Sequence, residues 1–263
     1  MNIIEAIKER RSVRSFNGLP LTTEHREELL KAIEESYTFF GGRVTIRLKE
    51  FDLKGDFKPG TYGVIKDACN FFLVGMANDE ESALTAGFRF EQIVLKAWQL
   101  GLGTCWIAAT FKGSHFDRGE TWPDGETLKI VCPVGVAAKK HLLEKVTRLA
   151  IGSDKRKPFA DLFFTDNFSK PLSEDDKYAE SLGMLRLAPS STNSQPWRVL
   201  VDGDSVHFYT VPKSPASVLD CGIGICHFYE AEKFYEHKGS FAKLTAAPAA
   251  YSNWKYLTTY RRD

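Results

Sequence analysis

Two parts of the sequence follow the same succession of patterns, and this repeat restricts the folds open to the chain. In the first part, Pro20-Leu21-Thr22 precedes a helical pattern and Arg43-Val44 begins a strand pattern. In the second part, Pro171-Leu172-Ser173 and Arg198-Val199 hold the same places. Self-similarity of this kind indicates copies of one supersecondary unit that bury their apolar faces against each other.

The helical segments that follow these strands also correspond. Gly87 lies in a segment that ends at Gly103, and Gly222 lies in a segment that ends at Gly239. We therefore predict an α+β fold made of two diverged copies of one unit. Its central sheets are expected to be antiparallel or mixed and to be flanked by helices.

The repeat predicts two halves, residues 1–165 and 166–263, packed closely as one unit. Each half carries a polar segment that the other lacks. The first half has an arginine cluster near its start, and the second has a serine-rich loop near its middle. The two halves are therefore expected to contribute different groups to one site.

The serine-rich loop is the stretch Ala188-Pro189-Ser190-Ser191-Thr192-Asn193-Ser194-Gln195-Pro196-Trp197, which separates a helical pattern from a strand pattern. Pro189 has no N–H and disfavours helical geometry in the residue before it, so the helix must end here. In most loops such polar side chains satisfy backbone groups. In this loop they can also present several small donors and acceptors at one rigid corner.

The arginine cluster is Arg10-Arg11-Ser12-Val13-Arg14-Ser15-Phe16, and it follows a short helix that Asn2 can cap. Basic side chains at the end of a helix can simply complement the helix dipole. Arginine forks also match the geometry of a phosphate, and Ser12 adds a hydroxyl donor. The cluster is therefore a candidate phosphate site as well as a candidate solvated helix end.

The composition disfavours several function classes. A hydrophobic content of 43% and a charged content of 26% are those of an ordinary globular protein. A formal net charge of +1 gives no field for nucleic acid or a membrane surface, and no apolar run approaches bilayer length. Five cysteines and six histidines without ligand spacing predict buried, reduced thiols and no metal site. We expect a cytoplasmic protein without nucleic-acid or membrane partners.

Both polar segments resemble motifs of the nitroreductase family of flavoproteins. So do the helix end Leu100-Gly101-Leu102-Gly103-Thr104-Cys105-Trp106-Ile107 and the strand residues Cys132-Pro133-Val134-Gly135. The resemblance covers roughly residues 2–160 and 171–240. It implies a nitroreductase-like α+β fold that binds FMN tightly.

The order of the motifs departs from the family pattern. In the family the equivalent of the serine-rich loop follows the second helix, which would place it near Tyr37. In this chain the loop lies in the second half. That loop reaches across a dimer interface in the family, to flavin held mainly by the other subunit. The chain therefore resembles a fused pseudo-dimer with one FMN site built from both halves. It is expected to be a monomer of this kind or a weak homo-oligomer.

The resemblance assigns three segments to the phosphate and ribityl chain of FMN. From the arginine cluster, the residues assigned to FMN are Arg10, Ser12 and Arg14, with Arg11 beside them. A second basic turn, residues 152–158, would add Lys155 and Arg156. The residues of the serine-rich loop, which would line the ring as well as the phosphate, are Pro189, Ser190, Ser191 and Asn193.

Other residues would face the flavin ring. The segment whose backbone would face the pyrimidine and N5 is Trp106, Ile107 and Ala108. Gln195 would lie near the polar edge of the ring, and Thr61 or Tyr62 would also lie near it. Nothing matches the lysine that the family often has shortly after that position. Since the family needs no protein nucleophile, no catalytic side chain is expected.

The implied activity is that of an FMN-dependent oxidoreductase that transfers electrons from NAD(P)H to a nitroaromatic, a quinone or a similar small acceptor. One alternative is another reaction on the same scaffold, such as reductive dehalogenation or oxidative flavin breakdown. A second alternative is a flavin-binding protein without turnover, which the missing lysine and the diverged first copy favour.

Four local patterns complete the predictions. Apolar spacing predicts a central buried helix over residues 85–100. Ser173 is predicted to cap a helix that begins directly after it. Residues 112–125 are expected to form a surface insertion, and residues 256–263 a polar surface element.

Overall fold

Two long helices lie at the centre of the fold, and a β-sheet packs against each of them. The computed structural model describes residues 1–52, 60–138 and 155–263. The central helices are α3 (Glu80–Gln99) and α6 (Ser217–Phe234), and they pack against each other. Helix α3 buries apolar side chains against the first sheet, and α6 does so against the second.

Within its described residues, the first half contains four α-helices and a four-stranded sheet. Besides α3, its elements are α1 (Ile3–Glu9), α2 (Thr23–Glu35), β1 (Val44–Glu50), β2 (Asn70–Ala77), β3 (Gly103–Thr104), α4 (Gly113–Phe116) and β4 (Glu126–Gly135). The strands pair in the order β1-β2-β4-β3, and every pair is antiparallel. Asn2 caps α1 in a reciprocal capping box with Glu5, as its sequence predicts.

The second half contains the other sheet. Besides α6, its elements are β5 (Phe163–Thr165), β6 (Asn167–Pro171), α5 (Ala179–Arg186), β7 (Trp197–Asp202), β8 (Ser205–Thr210), β9 (Gly239–Ala242) and β10 (Lys255–Arg262). The order is β6-β5-β7-β8-β10-β9, and the sheet is mixed because β5 runs parallel to β7. The predicted boundary after residue 165 falls between β5 and β6, which pair with each other.

The internal repeat is confirmed in the topology. The series α2-β1-β2-α3-β3-β4 and the series α5-β7-β8-α6-β9-β10 have the same order of elements, and the pairing order β1-β2-β4-β3 recurs as β7-β8-β10-β9. The central helices cross at Gly87 and Gly222. A side chain on Gly87 would overlap the carbonyl oxygen of Leu219, and one on Gly222 would overlap that of Leu84. The crossing is therefore symmetric, as expected at the axis of a pseudo-dimer.

Two predicted helix starts are wrong. Helix α3 begins at Glu80 rather than at residue 85, because Asp79 accepts the N–H of Ser82 and caps a polar first turn. The helix predicted directly after Ser173 begins only at Ala179. Ser173 Oγ accepts the N–H of Asp175, and Asp176 Oδ1 accepts the N–H of Tyr178. Such local turns compete with helix formation.

The tail is a strand inside the second sheet, and its prediction as a surface element is wrong. Strand β10 lies between β8 and β9, and the side chain of Tyr260 is fully buried. Thr259 is also buried, and its hydroxyl pairs with His207 Nδ1 at 2.8 Å. The polar composition of the tail hid this strand, because the buried hydroxyls of Thr258 and Thr259 pair with Ala242 O and His207, which are distant in sequence.

The segment 112–125 is packed against the first sheet. Glu120 pairs with Arg47 and Lys49 of β1. The ring of Trp122 covers Gly75 of β2 so closely that a side chain there would overlap it. The insertion is therefore held along the sheet by both charge and shape.

The core between helices and sheets is apolar, and all five cysteines lie buried and outside any disulfide, as predicted. Within the described part of the chain, no helix combines the length and the apolar character that a bilayer span requires.

Candidate functional site

A cleft of about 330 Å³ opens between the end of α1 and the loop that follows α5. Both halves line it. The predicted site residues that the first half contributes are Arg10, Arg11, Ser12 and Arg14. Arg156 comes from the basic turn near the end of the first half, and the second half contributes Pro189, Ser190 and Asn193. The volume is within the range of small-molecule and cofactor sites.

The arginine cluster is held along β3. The backbone N–H of Arg10 bonds to Ala6 O and closes α1, and Val13 N–H then bonds to Thr104 O at 2.8 Å. Gly103 permits this approach, because a side chain there would overlap Val13. The chain therefore turns away from α1 directly after Arg10. Arg10, Arg11 and Arg14 all lie in the lining of the cleft.

The serine-rich loop has an unusual backbone. Thr192, Asn193 and Gln195 have φ of 50°, 55° and 47°, in the left-handed region that side chains disfavour. The loop is fixed from within, since Ser190 Oγ accepts the N–H of Gln195 at 2.9 Å. Such conformations cluster at ligand sites because the surrounding structure must hold them.

A buried carboxylate supports the loop from α6. Both oxygens of Asp220 lie 3.0 Å from the donating N–H of Ser191. Burial raises the pKa of Asp220 to about 7, although the N–H of Ser191 and the hydroxyl of Ser194 oppose this shift. Asp220 was not among the predicted site residues, and the available signal was a carboxylate directly before the apolar run 221–226.

The predicted residues Lys155 and Gln195 lie beside the cleft rather than in its lining. Gln195 is buried, and its side chain accepts the N–H of Lys157 and donates to Lys155 O. Lys157 in turn donates to the carbonyl of Ser194 at 2.6 Å. Burial, followed by the nearby Lys213, lowers the pKa of Lys157 to about 7. Residues 152–154 of this predicted basic turn lie outside the described residues.

Arg156 lies on the cleft side of the same turn. Its guanidinium donates to Leu187 O at 3.0 Å and to Asn193 Oδ1 at 3.4 Å. The side-chain amide of Asn193 donates to Lys155 O at 2.8 Å. The basic turn and the serine-rich loop therefore form one hydrogen-bonded wall.

The residues predicted near the ring are not in the lining. Thr61 is fully buried and accepts the N–H of Ile65, whereas Tyr62 is 74% exposed. Ile107 is buried and pairs with Val131, and Ala108 is exposed.

Trp106 belongs to a buried polar network below the cleft. Its indole N–H donates to Glu91 Oε2 at 2.8 Å, and Glu91 Oε1 lies 2.9 Å from His227 Nε2. Arg10 Nε lies 3.6 Å from the same Oε1. The side chains of Glu91 and His227 are fully buried, and that of Arg10 is 5% exposed. The network links α1, α3 and α6, and sequence reasoning gave no role to Glu91.

The donor set fits a phosphate. Five basic side chains and one carboxylate, that of Glu9, line the cleft. Within the described residues, Arg10 Nε and Nη1 are buried without a hydrogen-bond partner. Buried donors left unpaired are costly, and a bound anion would satisfy them. The cleft therefore has the charge and the open donors that the phosphate of FMN requires.

A solved structure similar to this chain, from Thermotoga maritima, supports the fold. A Thermotoga maritima protein described as a "putative nitroreductase" aligns with 100% of this chain and 93% of its own, at 22% identity and a TM-score of 0.64. A nitroreductase with bound FMN from Bacteroides fragilis aligns with 54% of this chain and 91% of its own, at 14% identity and a TM-score of 0.43. No curated protein matches the sequence.

A match between the sequence and a family model identifies the family. The family model described as "Putative TM nitroreductase" matches residues 2–232, which is most of the chain. The match spans the arginine cluster, the serine-rich loop and both central helices. The chain therefore belongs to this nitroreductase family, whose name denotes an oxidoreductase.

Proposed function

We propose that the protein is an FMN-dependent oxidoreductase that takes electrons from NAD(P)H and passes them to a nitroaromatic, a quinone or a similar small acceptor. The observation that carries the proposal is the basic cleft between the two halves, where two buried donors of Arg10 have no hydrogen-bond partner within the described residues. FMN would supply the electron-transfer chemistry, and the protein would supply binding and orientation.

The residues proposed to hold FMN divide by chemistry. Arg10, Arg14 and Arg156 would bind the phosphate, because guanidinium forks match its geometry. The hydroxyls of Ser12 and Ser190 would add neutral hydrogen bonds on opposite walls. All five residues lie in the lining of one cleft.

One FMN per chain is proposed, because aromatic rings fill the position related to the serine-rich loop by the repeat. In the first half that position is held by residues 37–43. Phe40 packs edge-to-face on Phe88, with ring centroids 5.5 Å apart, and on Phe241 at 5.7 Å. The second half also has no counterpart of the arginine cluster.

The test is an FMN titration of wild type and Arg14→Ala, followed by visible absorption and by assays of NADH and NADPH oxidation. We expect one FMN per chain, at least tenfold weaker binding in the variant, and turnover with a quinone or nitroaromatic acceptor. Flavin binding without oxidation of either nucleotide would favour the flavin-binding alternative. A protein that binds no FMN would overturn the proposal.

A further inference from the structure

Glu91 lies where it would be expected to cancel the charge of Arg10. The carboxylate is fully buried on α3, and its Oε1 faces Arg10 Nε at 3.6 Å. A direct ion pair of this kind would reduce the attraction of Arg10 for any anion in the cleft. The other contacts of Glu91 decide whether this happens.

His227 also contacts that carboxylate, and its hydrogen bonds determine where protons lie. Nδ1 lies 3.2 Å from the carbonyl of Met184, and a carbonyl only accepts, so Nδ1 carries a hydrogen. Nε2 lies 2.9 Å from Glu91 Oε1, and this contact needs one further proton between the two atoms. Whichever atom holds that proton, the imidazole and the carboxylate together have no net charge.

We propose that His227 neutralises Glu91, so that the positive charge of Arg10 stays available to the phosphate of a ligand in the cleft. Glu91 and His227 are then positioning residues that act through Arg10. The proposal rests on the proposed FMN function, since it concerns the same cleft. It also makes phosphate binding by the first half depend on a residue of α6.

The position of Arg10 supports this assignment. The Arg10 side chain is only 5% exposed. Its Nε and Nη1 have no hydrogen-bond partner within the described residues. A buried guanidinium with open donors is stabilised only when an anion reaches it. Glu91 does not take that role by a hydrogen bond, because its Oε1 lies 3.6 Å from Arg10 Nε, which is beyond hydrogen-bond distance.

The experiment compares FMN with riboflavin, because these ligands differ only in the phosphate. Dissociation constants for both are measured with wild type, His227→Gln, Glu91→Gln and the double variant. His227→Gln leaves an uncompensated carboxylate beside Arg10, so its preference for FMN over riboflavin should fall about tenfold. Glu91→Gln should keep or raise the preference, and the double variant should recover it.

A merely structural role would lower both affinities together and leave their ratio unchanged. An unchanged ratio in His227→Gln, with FMN still preferred by wild type, would overturn this inference alone. If His227→Gln does not fold, Glu91→Gln decides, because loss of the FMN preference in that variant would contradict the inference. A wild type that binds neither flavin would instead overturn the proposed function and, with it, the inference.

Discussion

At the scale of single residues, the site depends on groups that lie behind its lining. Asp220 fixes Ser191 from α6, and Glu91 meets Arg10 from α3. Neither side chain lines the cleft, yet each holds a segment that does. Substitutions at these positions should therefore affect the site and the stability of the fold together.

The pH dependence of stability should reveal Asp220. Its pKa is about 7 in the folded protein against an ordinary value of 3.8. Between about pH 4 and pH 7 the folded protein holds a proton that the unfolded chain has lost, so the free energy of unfolding falls as pH rises, by up to ~1.4 kcal/mol per pH unit. Above this window the loss is complete.

Denaturant unfolding of wild type and Asp220→Asn across that window checks this expectation. The amide keeps an acceptor for the N–H of Ser191 but does not ionise, so the fall with pH should be smaller in the variant. Parallel curves for the two proteins would show that Asp220 does not titrate in this range.

At the scale of elements, the crossing of α3 and α6 is the contact least able to accept a change. Replacing Gly87 or Gly222 by alanine puts a methyl group into the backbone of the opposite helix. Each substitution should lower the free energy of unfolding by about 1–3 kcal/mol or more, as overpacked cores do. Chemical denaturation measures this loss.

Gly183→Ala is the matched control for that prediction. Gly183 lies in α5, and a side chain there meets nothing within 4 Å. Alanine also has the higher helix propensity, so this change should be neutral or stabilise by up to about 1 kcal/mol. Equal losses at all three glycines would mean that the crossing has no special role.

Elements with local signals could be predicted from the sequence, and elements defined by pairing could not. The capping box of α1 and the β7-β8 hairpin, with Gly203 at φ 57°, are local features. Strands β5 and β10 are short or polar, and they become strands by pairing with the distant strands β7 and β8.

The same distinction holds for the candidate site. Residues of both motifs line the cleft, because each motif is one continuous segment, whereas the predicted Ser191 and Gln195 lie outside the lining. Glu91, Asp220 and His227 each lie in a helix and act on a segment far away in sequence. Such long-range pairs leave no spacing that a single sequence can reveal.

At the scale of the whole molecule, the halves should unfold together. Both central helices bury apolar faces against each other as well as against their own sheets. We propose that the halves meet before β5, since β5 pairs with β6 and β7. Calorimetry should show one transition whose van't Hoff and calorimetric enthalpies agree, and two resolved transitions would contradict it.

The symmetric crossing at Gly87 and Gly222 has a consequence for how such a protein can change. In a dimer of identical chains, every substitution appears twice, so a loop needed at one site cannot be altered at the other. A single chain with two copies removes that restriction, and Phe40 can fill one position while Ser190 keeps its counterpart open. The crossing of α3 and α6 remains constrained in both copies, because a larger side chain at Gly87 or Gly222 would push the two helices apart.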